Sequence, residues 1–356
     1  MRTDRSTTAF QGLIGDMRNY WAKDLYPAFA AHCRDRLGRD RLADKPADSP
    51  DAIAGEMRDD TLYAYYAWLE RHIQRMKYSH PAYGLKAAYG RLRPEIAAHL
   101  DGAAAAAGGM LELAPDLEIP QYYRDVDIHQ HPGNLAGDII DGYVYQASAL
   151  SIHPNTKRFE VHDRFAGLVR ARGVFRRILD MGCGFGKSTT PLAREFPDAR
   201  VLGIELSAPC LKLAAVEGVE LQLRNLAYRQ ADCLRSALAD ESFDLVTSTQ
   251  LLHELPVTEI HNVLAESFRL LQPGGQVLHL DFRSQGAFQG FLTAGHARRN
   301  NEGFMAAFDR MDVAAAFARA GFTDYQEIPF AEREGATDPD YPYWRFPWML
   351  FAARKP

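Results

Sequence analysis

A glycine-rich loop between an apolar strand and a helix limits what this chain can fold into more than any other stretch. Residues 178–189 read ILDMGCGFGKST, and two arginines precede the apolar pair that opens them. Gly182, Gly184 and Gly186 allow positive φ angles and a close approach of the main chain to a ligand. The first amides of the helix that follows, from Ser188, point back towards the same ligand. The stretch therefore predicts a site for a nucleotide-like cofactor.

Predicted strands and helices alternate after residue 159, as they do in a parallel sheet with crossover helices. Seven strands are predicted, over residues 177–181, 200–205, 227–230, 243–248, 276–282, 323–329 and 344–353. The last two favour a terminal hairpin. The predicted fold class is α/β, a Rossmann-like seven-stranded sheet with an N-terminal, mainly helical domain.

The chain upstream of this sheet divides into two predicted parts. Residues 1–112 show helical periodicity and indicate an N-terminal helical domain. Residues 113–158 are rich in Pro, Gly, His, Asp and Tyr, and we expect a linker or a lid over the active site, which leaves 159–356 as the cofactor-binding domain. His129 and His131 form a His-x-His pair in the linker without a third ligand nearby, so no metal site is expected.

Composition and charge exclude several function classes. A net charge of −5 over 356 residues gives no electrostatic reason to bind nucleic acid. The four cysteines are scattered without a CxxC spacing, which argues against zinc and disulfides and fits a reducing compartment. No run approaches the roughly 18 apolar residues of a membrane span, and no apolar segment follows the first residues. We expect a cytoplasmic protein with neither a nucleic-acid nor a membrane partner.

Three features bear on which cofactor the loop binds. The third glycine of the dinucleotide pattern G-x-G-x-x-G would fall at Lys187, which weakens the case for NAD or FAD without excluding it. Glu205 ends the second strand, where a carboxylate can accept hydrogen bonds from both ribose hydroxyls, as it also does in NAD sites. Asp232 follows the third strand and could accept from an exocyclic amine such as that of adenine. A turn or a helix cap would also explain Asp232 taken alone.

Together these motifs resemble the class I S-adenosylmethionine-dependent methyltransferases over residues 160–356. The matching stretches are Asp180-x-Gly-x-Gly-x-Gly186, Glu205, Gln230-Ala231-Asp232, FDLV at 243–246 and LQPGG at 271–275. The resemblance implies that S-adenosylmethionine lies across the strand ends, with the glycines against its methionine part, Glu205 at the ribose and Asp232 with Cys233 beside the adenine. The cofactor contacts it implies are Asp180, Gly182, Cys183, Gly184, Gly186, Glu205, Leu206, Asp232, Cys233 and Gln250.

His253 is the predicted catalytic base. Methyl transfer from a sulfonium is an in-line displacement that depends on positioning, and a hydroxyl, thiol or protonated amine acceptor must also lose a proton. His253 follows the fourth strand at the sheet edge where ligands bind, and it would be free to act as a base near neutral pH. It also resembles the base histidine of small-molecule O-methyltransferases, although a histidine that only packs or caps is common at this position.

The acceptor is expected to be a small molecule methylated at O, N or S. Predicted substrate contacts are Tyr143, Tyr145 and His153 in the linker and Arg283 after the fifth strand, where Arg283 could meet an acidic substrate or simply belong to a solvated loop. By analogy with the family, the N-terminal helices, in particular the aromatic helix 61–77, are candidates for a homodimer surface. An NAD-dependent oxidoreductase and a non-catalytic S-adenosylmethionine-binding protein remain as alternatives.

Overall fold

The computed structural model describes residues 2–38, 49–152, 160–338 and 341–356. Within these residues one mixed sheet of eight strands runs in the order β1-β4-β3-β2-β5-β6-β8-β7. Strands β1 to β6 pair in parallel, and β8 is antiparallel to both β6 and β7. The strands are β1 Leu111–Glu112, β2 Arg177–Met181, β3 Arg200–Glu205, β4 Leu226–Gln230, β5 Phe243–Thr249, β6 Leu271–Phe282, β7 Thr323–Pro329 and β8 Trp348–Arg354.

All seven predicted strands are present, so the α/β prediction is confirmed, but the predicted strand count was one too low. The additional strand, β1, comes from the N-terminal region and pairs in parallel with the edge of β4, with Leu111 opposite Tyr228. Sequence periodicity could not identify it, because two residues are too few to show an alternation. The predicted terminal hairpin is present as the antiparallel pair of β7 and β8.

Helices make up the N-terminal region and cover both faces of the sheet. In the N-terminal region, α1 continues through a π-helical turn at Trp21–Leu25 into α2. The helices before the glycine loop are α1 Arg5–Tyr20, α2 Tyr26–Leu37, α3 Pro50–Glu56, α4 Thr61–Ser79, α5 Leu85–Arg91, α6 Arg93–Ala107, α7 Gln121–Arg124, α8 Asp141–Ile152 and α9 Glu160–Arg172. Those after it are α10 Thr189–Glu195, α11 Ala208–Glu220, α12 Val257–Leu270, α13 Ala287–Asn300, α14 Met305–Asp309 and α15 Val313–Ala320.

Adjacent residues of β2 point into two different cores, as the alternation of a strand requires. Ile178 packs in a cluster that contains Phe165 of α9 and Leu211 of α11. Leu179 packs in the other cluster, with Leu264 of α12. The sheet is therefore buried on both faces, which explains why its strands read as near-continuous apolar runs.

The N-terminal region packs directly against the C-terminal part of the chain through two further apolar clusters. One joins Trp21 and Tyr66 of the N-terminal helices to Phe291 of α13. The other joins Tyr78 and Tyr143 to Phe185 of the glycine loop. The N-terminal region thus covers the edge of the sheet at which the parallel strands end. None of the described helices is long and apolar enough to cross a membrane.

Candidate active site

The glycine loop between β2 and α10 has the geometry that its sequence predicts. Gly182 and Gly186 have φ angles of 64° and 85°, which residues with a Cβ rarely adopt. A Cβ at Gly186 would lie 2.5 Å from the Tyr228 hydroxyl oxygen, and one at Gly182 would lie 2.7 Å from a methyl carbon of Leu251. Both positions therefore require glycine for conformation and for space.

Asp180 stabilises this loop through side-chain hydrogen bonds. Its carboxylate accepts hydrogen bonds from the hydroxyls of Ser188 at 2.6 Å, Thr189 at 2.7 Å and Thr247 at 3.1 Å. The side chain is fully buried, and this burial raises the pKa of Asp180 to about 6. These three bonds make Asp180 a residue that positions the loop, while its predicted contact with the cofactor stays a prediction.

Glu205 lies at the end of β3 beside the loop. One carboxylate oxygen accepts from the Gly184 amide at 2.9 Å, and the other accepts from the Ser207 amide at 3.0 Å. The Leu206 amide also bonds to this carboxylate, whose two oxygens together offer about four lone pairs. Burial raises the pKa of Glu205. The arrangement leaves this carboxylate able to accept a further hydrogen bond, which a ribose hydroxyl would supply.

The remaining predicted cofactor residues lie along the same edge. Asp232 accepts from the Leu234 amide at 2.9 Å, and burial raises its pKa. Gln250, at a φ of 57°, accepts from Lys187 Nζ at 3.2 Å. Leu206, Cys183 and Cys233 are buried, the Leu206 carbonyl accepts from Gln230 Nε2 and the Cys183 amide donates to the Ile204 carbonyl.

Aromatic side chains from residues 113–152 cover the loop. A Cβ at Gly184 would lie 3.3 Å from the Tyr145 ring, and that ring packs edge-on against Phe185 at 5.2 Å. The hydroxyl oxygens of Tyr122 and Tyr123 are buried without a hydrogen-bond partner among the described residues. Asp232 and Glu205 are among the charges that face Tyr122, and Glu205 faces Tyr123. Buried hydroxyls are rarely left unpaired, so these two indicate a polar ligand between the cover and the strand ends.

His253 lies just after β5 in a buried pair with Asp281 of β6. His253 Nδ1 donates to Asp281 Oδ1 at 2.6 Å, and the same carboxylate accepts from the amides of Leu252 and Phe282, both at 2.8 Å. Although burial acts in the opposite direction, Asp281 and Glu254 raise the pKa of His253 to about 9. The neighbouring carboxylates thus favour the protonated form of this ring at neutral pH, and its predicted role as a base stays a prediction.

His129 of the covering segment extends this network. Its Nε2 lies 3.2 Å from Glu254 Oε1, and its Nδ1 bonds to Glu302. Although burial opposes the charge, Glu302 and Glu254 raise the pKa of His129 to about 10. A metal ion could take only one nitrogen of the ring, whereas an imidazolium donates from both, so the geometry fits a proton-bridged triad. His131 instead pairs with Asp141 at 3.1 Å.

The residues that were predicted to contact the substrate lie at different places in the structure. Tyr145 reaches the glycine loop, whereas Tyr143 is buried against Tyr89, with ring centroids 5.9 Å apart. Arg283 Nη1 donates to the carbonyls of Asp309 and Met311, both at 2.9 Å, at the wall of a cavity of about 660 Å³ with many aromatic side chains. His153 lies outside the described residues.

Three acidic residues of this site were not predicted as part of it. Glu254 is adjacent to His253 in sequence, and Asp281 lies at the end of the predicted strand 276–282, so both carried a local signal. Glu302 lies 173 residues from its partner His129 and had none. Its second carboxylate oxygen is buried without a partner in the described part of the chain.

The family profile described as "Methyltransferase domain" matches residues 178–275, which contain the loop, Glu205, Asp232 and His253. Residues 178–275 therefore form a domain of the class I S-adenosylmethionine-dependent methyltransferase family. Trans-aconitate 2-methyltransferase of Deinococcus radiodurans is 38% identical over 101 residues, which are 28% of this chain and 36% of that protein. Ubiquinone biosynthesis O-methyltransferase of Paracidovorax citrulli is 37% identical over 114 residues, 31% of this chain and 44% of that protein. The chain thus spans less than half the length of these curated relatives.

S-adenosylmethionine is the cofactor of this methyltransferase domain, and the residues present fit it. Glu205 can accept a further hydrogen bond from a ribose hydroxyl, and the hydroxyls of Tyr122 and Tyr123 lack partners among the described residues at the same edge. The family membership also decides against the NAD alternative that the glycine pattern alone had left open.

Proposed function

We propose that this protein transfers the methyl group of S-adenosylmethionine to an O, N or S atom of a small-molecule acceptor and that His253 removes the acceptor's proton. The observation that carries the proposal is the buried Asp281–His253 pair beside the glycine loop. Parallel strands place both residues at their carboxyl ends, where ligands of such sheets bind. A carboxylate that orients a histidine is a recurrent arrangement for general bases.

The glycine loop, Glu205, Asp232 and the covering tyrosines would hold the cofactor. When bound, S-adenosylmethionine supplies an electrophilic methyl group for in-line displacement. Tyr145 and His129 close the site from the covering segment, which excludes water and positions the acceptor. Small-molecule acceptors are supported by the relatives, since trans-aconitate and ubiquinone biosynthesis appear in their names.

His253 Nε2 is the atom that would accept the proton. Asp281 keeps a proton on Nδ1 and fixes the ring, so Nε2 is the only nitrogen available to an acceptor. Nε2 lies 3.6 Å from Glu254 Oε1, and it must first lose its own proton because the pKa of the ring is raised to about 9. The proposed base therefore works best in alkaline solution.

Ligand binding and methyl release test the proposal in two steps. Thermal unfolding is measured with S-adenosylmethionine, S-adenosylhomocysteine and NADH; stabilisation by the two adenosyl ligands is expected, and stabilisation by NADH alone would contradict the cofactor. Release of labelled methyl groups is then measured on a panel of hydroxylated, amino and carboxylic metabolites. Tight cofactor binding without transfer to any member would favour the non-catalytic alternative.

The assembly and the location of the chain are further parts of the proposal. Tyr65 and Trp68 of α4 are exposed by 43% and 54%, which supports a homodimer surface on the N-terminal helices. The four cysteines are unpaired and buried, which suits the reducing cytoplasm. We also propose that the chain divides into an N-terminal helical domain (1–112), a linker or lid (113–158) and the cofactor-binding domain (159–356). Sedimentation of the wild type and of Trp68→Ser tests the dimer, because a monomeric wild type would contradict it.

A further inference from the structure

Lys187 carries an ammonium group inside the proposed cofactor site. It follows Gly186 directly, and its Nζ donates to Gln250 Oε1 at 3.2 Å. The same atom lies 5.1 Å from the centroid of the Tyr145 ring and 5.9 Å from that of Phe185. The ammonium is therefore enclosed by the glycine loop, the end of β5 and the covering segment.

This ammonium has no anionic partner in the described part of the chain. Glu254, Glu205 and Asp180 act on it through space, yet no carboxylate oxygen lies within the 4.0 Å of an ion pair. Burial lowers the pKa of Lys187 to about 8, which reflects the cost of keeping a charge away from water. Lys187 is half-buried, so its charge still favours a counter-ion, and two of its three N–H donors have no partner among the described residues.

S-adenosylmethionine has one anionic group, the carboxylate of its methionine part. Its sulfonium and its amino group are both cationic, so Lys187 would repel them and attract only that carboxylate. The methionine part is also the part that the family resemblance places against the glycines next to Lys187. We propose that Lys187 Nζ binds the carboxylate of S-adenosylmethionine, an inference that rests on the proposed function.

An anionic group on the methyl acceptor could also pair with this ammonium. Titrating two forms of the cofactor in the absence of acceptor separates the two possibilities. Decarboxylated S-adenosylmethionine lacks only the carboxylate. We expect wild-type protein to bind it about 10–100-fold more weakly than S-adenosylmethionine in calorimetric titration without acceptor, the range typical of a charged hydrogen bond. A wild type that binds both equally would overturn the Lys187 subsite, whatever the variants do.

The variant Lys187→Met completes the comparison. It should bind S-adenosylmethionine about 10–100-fold more weakly and should no longer distinguish it from the decarboxylated form. Lys187→Gln repeats the test with a polar side chain in case the methionine variant does not fold. Lys212→Met is the matched control, because Lys212 pairs at the surface with Asp101 at 2.7 Å and should leave both affinities unchanged.

The results separate the two proposals. Equal losses for both ligands in Lys187→Met would show that the lysine acts by packing, and they would overturn the subsite while leaving the cofactor in place. Wild-type protein that binds neither ligand would overturn the proposed function itself. A discrimination that is present in the wild type and absent in both lysine variants would establish the subsite.

Discussion

The proposed cofactor side and the proposed acceptor side of this site are built in different ways. On the cofactor side, Asp180, Glu205 and Asp232 each lie at or just beyond the end of a strand, so the order of strands along the chain fixes their order in space. On the acceptor side, the network that links Asp281, His253, Glu254, His129 and Glu302 draws on segments from residue 129 to residue 302. The first side is a property of the sheet, whereas the second is completed only when His129 of the N-terminal region covers that sheet.

The comparison predicts that His253 controls turnover and not cofactor binding. In His253→Asn the amide can still donate to Asp281, so the fold is retained, but no atom can accept the proton. With an acceptor found in the metabolite panel, kcat should fall by about 10²–10⁴-fold. The affinity for S-adenosylhomocysteine should stay unchanged.

His261→Asn is the control for this change, since His261 lies on α12 and the charge that acts on its ring is Arg319, which is not part of the network. Equal turnover in both variants would remove His253 from the mechanism. A loss of cofactor affinity in His253→Asn would mean that the two sides of the site are not separable.

A second substitution tests whether the covering region and the methyltransferase domain unfold together. Glu70 of α4 is fully buried and binds both His296, at 2.6 Å, and Arg299 of α13. Although burial opposes ionisation, Arg299 and His296 hold the pKa of Glu70 well below its usual range. Glu70→Ala leaves the Arg299 charge without its partner, so the free energy of unfolding in urea should fall by about 3–5 kcal/mol.

Asp51→Ala provides the matched control. It removes an ion pair between the same two parts of the chain, with Arg310 at 3.2 Å, but both side chains are exposed. It should cost less than about 1 kcal/mol. Equal effects of the two changes would contradict a buried joint between the two parts.

The pH dependence of turnover should follow the acceptor side. Asp281, Glu254 and Glu302 face His253 and raise its pKa to about 9, so kcat should rise about tenfold per pH unit from pH 7 and level off near pH 9. The same raised pKa contributes stability below pH 6.5 that is lost as the pH rises through 9, so rates must be measured below the unfolding temperature at each pH. Asp281→Asn should move the midpoint to lower pH. A profile that is level between pH 6 and 9 would argue against His253 as the base.

Glu205 should show the opposite pattern, with an effect on binding alone. Glu205→Ala removes a charged acceptor for the ribose, and the affinity for S-adenosylhomocysteine should fall about 10–100-fold in calorimetric titration. Glu220→Ala, at an exposed position of α11, should bind normally. Normal binding by Glu205→Ala would contradict the cofactor site, provided that its unfolding temperature matches the wild type.

The contrast also explains what the sequence could predict. Glu205 and Asp232 were predicted as site residues because a strand pattern ended beside each of them. The same apolar patterns predicted the seven longer strands. Glu302 and the two-residue strand β1 carry no such local signal, since their places depend on contacts with chain more than 100 residues away. The raised pKa of His253 likewise comes first from Asp281, which only the folded chain brings beside it, and then from its sequence neighbour Glu254. Local patterns thus predict strand ends, and tertiary packing decides which charges meet there.

The smallest expected effect concerns the cover itself, where Tyr122 and Tyr123 meet the cofactor side. Their hydroxyls are buried and have no partner among the described residues, so Tyr→Phe at either position removes an unsatisfied group from the ligand-free protein. The unfolding temperature without ligand should stay the same or rise slightly. The affinity for S-adenosylhomocysteine should fall about 2–10-fold, because the bound ligand would lose a hydrogen-bond partner. Tyr89→Phe is the control, because Tyr89 packs against Tyr143, and it should change neither the unfolding temperature nor the affinity. If the Phe variants of Tyr122 and Tyr123 both bind S-adenosylhomocysteine as the wild type does, the covering segment lies outside the cofactor site.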